Sequence, residues 1–598
     1  MASFKSSGIW LKSTSSLSML SCESLSLSMD SLPPELRGNP LDLHPPLSSN
    51  PCTMGERREY TFYGLEQDGA LRPGGQVPLL TRQRIGLLLN YVAIGALYGG
   101  INIALVPFLN KYLEVPQYQT RATSTVINMA WSFKVFAGFL IDSVKICRYR
   151  RKPYLIIGWT LCITSLLYLE TFDVPGAGSA HEIWRYVVLL TLGTLGYLLA
   201  NVAADAIVVD IAQREPLPTR GHTQVIVYAA EAFGMTIMSL FVTGTLNGPE
   251  SGGSFSWSLN SNQVILVLAA CAVMPLVGSI WFLHEDLTAQ TVPIFSFFDM
   301  ASCSVAPQQP QPETAPLDSS LNFGARCQLI WRLVQRRTMW QLLMFEFVAS
   351  FCLTIDSSAK SLIEMNWVNV QLWPKAIEVA VWSLVFIGGL LIARFFLLHS
   401  AWRRIYCAAT VWAVGVDFIR VACTVFNVVR NRNFWLYMQV LAAPAMALRF
   451  LVLLLPIVEL IPRGIEGTTY GLVTSFRNMA IPFGRTAYKA IDSYFSISSE
   501  DVHLDSDSTR LRVIYTYLIG WAFQLTSLAF IGLLPRQKLE VQQLRYYYGG
   551  YSTSAGWIVI IVLSSVLMYL TTVNVLSLFK STSCFRIVGG SGCGSQGS

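Results

Sequence analysis

Residues 186–211, YVVLLTLGTLGYLLANVAADAIVVDI, decide how this chain is to be read. A helix needs about 20 apolar residues to cross the hydrocarbon core of a bilayer, and this run supplies them. Apolar and polar positions do not alternate, so a barrel strand is excluded. The ionisable residues within it are Asp205 and Asp210, and Asn201 stands four positions before Asp205, on the same helix face. A lone carboxylate in lipid costs at least about 2.5–3.5 kcal/mol on insertion scales. The segment therefore reads as a membrane span whose Asn201–Asp205 face looks into a protected interior.

The rest of the chain has the same character. Its 598 residues are 53% apolar and 13% charged, with a mean hydropathy of +0.46. Soluble domains carry about a quarter charged residues, and single cores stop growing near about 250–300 residues. A soluble multidomain enzyme is excluded, and no enzymatic activity is expected. Further apolar windows fall near 85–109, 122–143, 154–171, 222–246 and 262–283, then near 338–356, 376–398, 402–425, 434–461, 467–492 and 511–534, with one more at 556–578. The expected fold is an all-α polytopic membrane protein of six plus six helices with one extra C-terminal helix. Residues 1–84 are expected to be a disordered Ser-rich cytoplasmic tail, 85–283 the first half, 284–337 a cytoplasmic linker and 338–534 the second half. Residues 535–598 hold a cytoplasmic loop, the thirteenth helix (556–578) and a tail.

Orientation follows from the basic residues. Lys145, Arg148, Arg150, Arg151 and Lys152 crowd the loop after the second span, and Arg72, Arg82 and Arg84 precede the first. Both segments are expected on the cytoplasmic side. The plasma membrane is the expected residence, with an organellar membrane as the alternative, because residues 1–50 are Ser-rich and lack an acid before Glu23. The net charge of +7 is spread over short loops and forms no nucleic-acid face. Twelve cysteines without a CxxC pair and six scattered histidines suggest neither metal nor cofactor. No GxxxxGK[ST] motif is present, which removes an ATP-driven pump.

A short internal repeat supports two halves. Span five opens at Gly221 and carries Glu231 ten residues later; span eleven opens at Gly467 and carries Arg477 ten residues later. Asp210 and Glu459 close the preceding spans. Two six-helix halves about an axis along the membrane normal are the arrangement of major facilitator transporters, with the substrate site at the midplane. Charged residues deep in spans then become cavity candidates: Lys134, Asp205, Glu231, Arg449 and Arg477, with Asn201 beside Asp205. Asp142, Asp210, Arg394, Glu459 and Lys489 lie near predicted ends, where such groups snorkel. Asp417 and Arg420 are spaced to satisfy one another on one helix.

At these residues a family resemblance enters. Trp131-Ser132-Phe133-Lys134, with Gly138, Asp142-Ser143 and Tyr149-Arg150-Arg151-Lys152-Pro153-Tyr154, resembles the signature of the folate–biopterin transporter family of the major facilitator superfamily. The run from Asn201 to Asp210, followed by Glu215, Arg220-Gly221 and Gln224, is similar to its span-four motif. Pro462, Gly464, Glu466-Gly467-Thr468-Thr469-Tyr470 and Asn478 are similar to its span-eleven motif. The resemblance covers roughly residues 85–535 and implies import of folates, pterins or related metabolites such as S-adenosylmethionine. The chain departs from the family at Asn201, where an acid is usual, at Asp210, where a Glu is usual, and at Glu231, where a base is usual. Thr354-Ile355-Asp356-Ser357-Ser358 only loosely matches the family's polar motif after span seven. These departures fall among cavity positions and leave the substrate open.

The expected activity is proton-coupled secondary transport of a folate- or pterin-like anionic heteroaromatic molecule, by a monomer whose halves rock about a midplane site. Lys134, Asn201, Asp205, Glu231, Arg449 and Arg477 are the expected substrate-binding residues. Arg449 and Arg477 offer planar bidentate donors to a carboxylate, and Trp131 and Tyr228 offer rings for stacking. Asp205 is the expected proton carrier, and Asp142 with Arg148, Arg150, Arg151 and Lys152 the expected cytoplasmic gate. Its partners would be a small-molecule substrate, protons and the lipid bilayer. The alternatives are a transport-inactive sensor on a transporter scaffold and a transporter of another metabolite such as S-adenosylmethionine.

Overall fold

The computed structural model describes residues 69–582 except 83, 108, 110–116, 148, 172–179, 249–254, 286–322, 358, 493, 496, 498, 547–549 and 580–581. The expectations for residues 1–68, for Arg148, for most of the linker and for the tail from 583 lie outside the described residues.

Helix α1 spans Ile85–Pro107. The second span is broken: α2 (Gln117–Met129) passes through a 3-10 turn at Ala130–Phe133 into α3 (Lys134–Ser143). Then follow α4 (Lys152–Glu170), α5 (Ala180–Gln213), α6 (His222–Thr245) and α7 (Ser261–Trp281). The second half begins with α8 (Phe323–Gln335) and α9 (Arg337–Thr354). After the short α10 (Ala359–Asn366) come α11 (Leu372–Phe396), α12 (Trp402–Val425), α13 (Arg432–Leu441) and α14 (Ala443–Leu460). Next are α15 (Glu466–Asp492), the short α16 (Ser499–Leu504) and α17 (Asp507–Thr526), which a 3-10 segment extends over Ser527–Leu533. Beyond them lie α18 (Lys538–Tyr546) and α19 (Thr553–Leu578).

Local chemistry sets these ends. Pro153 enters the first turn of α4, where its missing N–H costs nothing. Asn260 and Gln263 form a capping box at the start of α7. Gly221 sits at φ +111°, a left-handed conformation that a side chain would strain, and turns the chain into α6. The window 434–461, expected as one span, is two helices hinged at Ala442 because Pro444 interrupts the hydrogen-bond ladder.

Among the described residues, twelve helices are long and apolar enough to cross a membrane, and none of the residues forms an extended strand. Six lie in the first half, five in the second, and α19 is the twelfth. The sixth helix of the second half is α15, which has 27 residues, roughly 40 Å at 1.5 Å per residue. Thr468, Thr469, Thr474, Ser475 and Arg477 make it too polar to face lipid. It is enclosed instead, packing on α3, α5, α9 and α19. The halves meet chiefly along two helix pairs, α3 with α15 and α6 with α11, and α5 also lies against α15. On the first of these seams the backbones touch. A Cβ added at Gly138 would collide with the Gly467 carbonyl, and one at Gly471 would lie 2.7 Å from the Lys134 carbonyl oxygen.

Two further differences from expectation concern the ends of the halves. Residues 69–82, expected in the disordered tail, lie against the basic end of the bundle, with the Leu71 and Arg72 amides donating to the Gln213 carbonyl at 2.9 and 3.0 Å. The end of the expected linker is α8, an amphipathic helix that packs on α19, where Trp331 and Trp557 meet at 4.9 Å between centroids. The extra helix thus has a place: α19 lies against α2 of the first half and α8, α9 and α15 of the second.

Candidate functional site

The 3-10 turn before α3 positions the first group. It presents Trp131 and Lys134 to the interior, with the ammonium 4.7 Å from the Trp131 ring centre. Lys134 Nζ donates to Asn201 Oδ1 and lies 3.3 Å from Asp205 Oδ2. Asp205 also accepts the Tyr91 hydroxyl proton at 2.6 Å. Lys134, Asn201 and Asp205 are all buried. A buried ion pair of this kind holds only if the remaining lone pairs are also satisfied, and Tyr91 does this for Asp205. This is a different environment from that of a free proton acceptor.

The second half completes the cluster. Arg477 on α15 stacks over Phe450 of α14 at 4.6 Å, and Phe450 meets the Tyr228 ring edge-on at 5.1 Å. Tyr228 packs against Tyr91 at 5.9 Å, and its hydroxyl touches that of Tyr470 across the two halves. Glu231 lies in electrostatic reach of Lys134, Asp205 and Arg477, with no direct ion pair among the described residues. All of these groups sit at one level. Lys134 is nine positions from the end of α3, Asp205 eight from the end of α5, Glu231 nine from the start of α6 and Arg477 eleven from the start of α15. At 1.5 Å per residue that is roughly 12–17 Å from the basic end, half of a bilayer core about 30 Å thick.

Arg449 is placed elsewhere. Its guanidinium lies against Met446 Sδ and near Tyr406 of α12, because α14 turns this position toward α12 while Phe450 faces the centre. Sequence reasoning also missed several groups. Tyr91, Tyr470 and Phe450 are uncharged and give no signal in an apolar run. Glu346, buried in the middle of α9, did give one: it is a charge inside the window 338–356.

The basic end is tied across the halves. Asp142 at the end of α3 accepts the backbone N–H groups of Gly467 and Thr468 at 3.3 and 2.6 Å and the Thr468 hydroxyl at 2.8 Å. Arg72 bridges Asp210 of the first half and Glu466 of the second, the latter at 2.6 Å. Arg151 reaches Glu466 at 3.3 Å, and Arg150 donates to the Gly464 carbonyl at 2.9 Å. Arg220 pairs with Glu459 at 2.8 Å, and Gln213 donates to the carbonyls of Val458 and Ile461. Lys152 does not join these ties. It donates to the carbonyls of Ile280 and Leu283 and so closes α7 within its own half. Outside the spans, burial raises the Glu215 carboxyl above its ordinary range, although it accepts the amides of Gly221 and Thr223 at 2.8 Å each. Asp417 and Arg420 do pair with one another on α12.

A family model described as the BT1 family matches residues 97–543. A folate-biopterin transporter from Synechocystis sp. is 22% identical over 418 residues, covering 69% of this chain and 74% of that protein. Folate transporter 1 of Plasmodium falciparum is 26% identical over 145 residues, 24% of this chain and 27% of that one. Among solved structures, the major facilitator proton:xylose symporter XylE, bound to 6-bromo-6-deoxy-D-glucose, superposes with a TM-score of 0.50 at 14% identity. That alignment covers 77% of this chain and 98% of the symporter. At that identity the likeness shows the fold.

Proposed function

The chain belongs to the BT1 family, and from that premise we propose that this multi-pass membrane transporter is a proton-coupled carrier of folate- or pterin-like anions working by alternating access. The observation that carries this reading is the single level at which Lys134, Asn201, Asp205 and Glu231 of one half meet Arg477 and Phe450 of the other. Phe450, Tyr228 and Trp131 offer aromatic surface on which a flat heteroaromatic ring stacks once the halves part, and a carboxylate has Arg477 and Lys134 to pair with. The basic end is closed by the ties around Asp142, Arg72 and Glu466, so the halves would part there in the other state. We propose Asp142, Arg150 and Arg151 as the gate groups and Arg72 as an addition to them. Arg449, turned to Met446 and Tyr406, is left out of the proposed substrate contacts.

Uptake of radiolabelled folate, a pterin and S-adenosylmethionine into proteoliposomes, with and without a pH gradient, tests the reading. Gradient-driven accumulation of folate or the pterin is expected. Binding of a ligand without its movement would replace the reading with that of a sensor, and movement of S-adenosylmethionine alone would change the substrate class.

A further inference from the structure

Glu346 has no role in the site described so far. It lies on α9 nine positions after Arg337, so it stands at the same level as Glu231 and Lys134. It is 1% exposed, and its Oε1 has no hydrogen-bond partner among the described residues. Ser350, one turn further along the same helix face, is also buried with its Oγ unpartnered. A buried ionised carboxylate without partners is among the most costly groups a protein can hold. Asp205 differs in kind, being supplied with an ammonium, a phenol and a neighbouring amide.

The charges around Glu346 come from few sources. Arg477 on α15 is its ionic neighbour. Tyr406 on α12 interacts with it and also with Arg449 of α14. The 3-10 segment Ser527–Leu533 and the whole of α19 carry no charged residue. Arg326 and Arg332 on α8, with Lys538, Glu540 and Arg545 on α18, belong to the basic end. Asp507, Arg510 and Arg512 on α17 belong to the opposite end. Arg477 is therefore the cation within reach, and Glu231 of the first half also interacts with it. Lys134 is engaged with Asp205, and a third interior cation, Arg449, is turned to Met446 and Tyr406. Arg477 is thus shared between Glu231 and Glu346, and one bound proton ends that competition.

We infer that Glu346 is where the transported proton binds, and that Arg477 changes partner between Glu346 and Glu231 as that proton arrives and leaves. This rests on the proton-coupled reading above. A proton added to the free Oε1 converts the carboxylate to a neutral acid and releases Arg477 to Glu231 or to a substrate carboxylate. Loss of the proton restores the anion and draws Arg477 back to the second half. Because Glu231 and Glu346 belong to opposite halves, the exchange links protonation to the relative position of the halves.

The test uses the full-length protein in proteoliposomes. A gradient of one pH unit supports up to about tenfold accumulation at one proton per substrate. In Glu346→Gln, folate accumulation is expected to fall to the level reached without a gradient, while folate exchange continues at a reduced rate that no longer varies with pH. Infrared spectra of the wild type across the pH range supply a readout independent of transport. A protonated-carboxyl band is expected, to be lost in Glu346→Gln and kept in Glu231→Gln. Gradient-driven accumulation by Glu346→Gln, or a band that survives in it, overturns the inference. So does loss of the band in Glu231→Gln, a result available even if the Glu346→Gln variant fails to fold. A wild type that shows the band but moves no folate, pterin or S-adenosylmethionine would overturn the proton-coupled carrier and leave Glu346 as a protonated group.

Discussion

Asp142 caps a helix that belongs to the other half: its Oδ2 accepts the Thr468 backbone N–H at 2.6 Å, in the first turn of α15. At the pseudo-symmetric place, Glu215 accepts the Gly221 and Thr223 amides of α6 from within its own half. The two halves therefore repeat the glycine that opens the helix but differ in what satisfies its free amides. At α15 the cap exists only while the halves are together at the basic end.

Asp142→Ala removes that cap, worth about 1 kcal/mol in typical cases. Deuterium exchange at the amides of 467–470 should accelerate about fivefold, since exchange follows the free energy of local opening. Unchanged exchange there would mean that the cap adds nothing to the closed end.

Gly138→Ala places a methyl group against the Gly467 carbonyl. Overpacking of this kind costs about 1–3 kcal/mol, so the melting temperature should fall and transport should slow. Gly388→Ala on α11 is the control, because a Cβ there meets nothing within 4 Å. That variant should melt at or above the wild-type temperature, through the reduced entropy of its unfolded chain. A fall of equal size in both would refute the close-contact account.

Lys134 and Asp205 should behave as a unit. Breaking a buried pair from one side typically costs about 3–5 kcal/mol, because the survivor stays buried and uncompensated. Lys134→Met and Asp205→Asn should each lower the melting temperature steeply. The double variant should recover part of the loss while remaining transport-defective. Additive losses would mean that the two charges have separate partners.

Lys538 sits on α18, outside the spans, where its ammonium donates to the Leu217 carbonyl at 3.0 Å. Burial lowers its pKa from the ordinary 10.5 to about 8, with Glu459 opposing the shift. Between about pH 8 and 10.5 the folded state binds fewer protons at this residue than the unfolded one, so its contribution to stability rises with pH over that window. Melting curves of wild type and Lys538→Met across this range should differ by such a rise, present in the wild type alone. Parallel curves would contradict the shift.

Much of the architecture was legible because lipid is a strict solvent. Residues 402–425, expected as a span from hydropathy, are the helix α12 to the residue. Lys134, Asp205 and Arg477 were legible for the same reason, as charges that no lipid-facing surface would carry. The partner of a charge is a tertiary fact that local sequence does not hold. Arg72 lies in a stretch that reads as tail, yet it joins Asp210 to Glu466. Arg449 reads as equivalent to Arg477, but the rotation of α14 sends it to Tyr406. The helix α15 was read as a span although it is more polar than the twelve helices long and apolar enough to cross a membrane. Its apolar positions sufficed for that reading, but Thr468, Thr469, Thr474, Ser475 and Arg477 hold its hydropathy below that of the lipid-facing helices.

The glycine seam between α3 and α15 bears on the shape of the transport cycle itself. Where side chains separate two helices, rotamer changes let them slide through a range of separations. Here Gly138 and Gly471 set main chain on main chain, with Lys134 about two turns from Asp142 on the same rigid helix. Such a joint has a click-stop rather than a spring, since packed interfaces are bistable and not continuously deformable. Single-molecule distance traces across the basic end should then show two discrete dwell levels with abrupt jumps between them. Substrate and protons would act by changing how long each level lasts, leaving the levels themselves where the seam puts them.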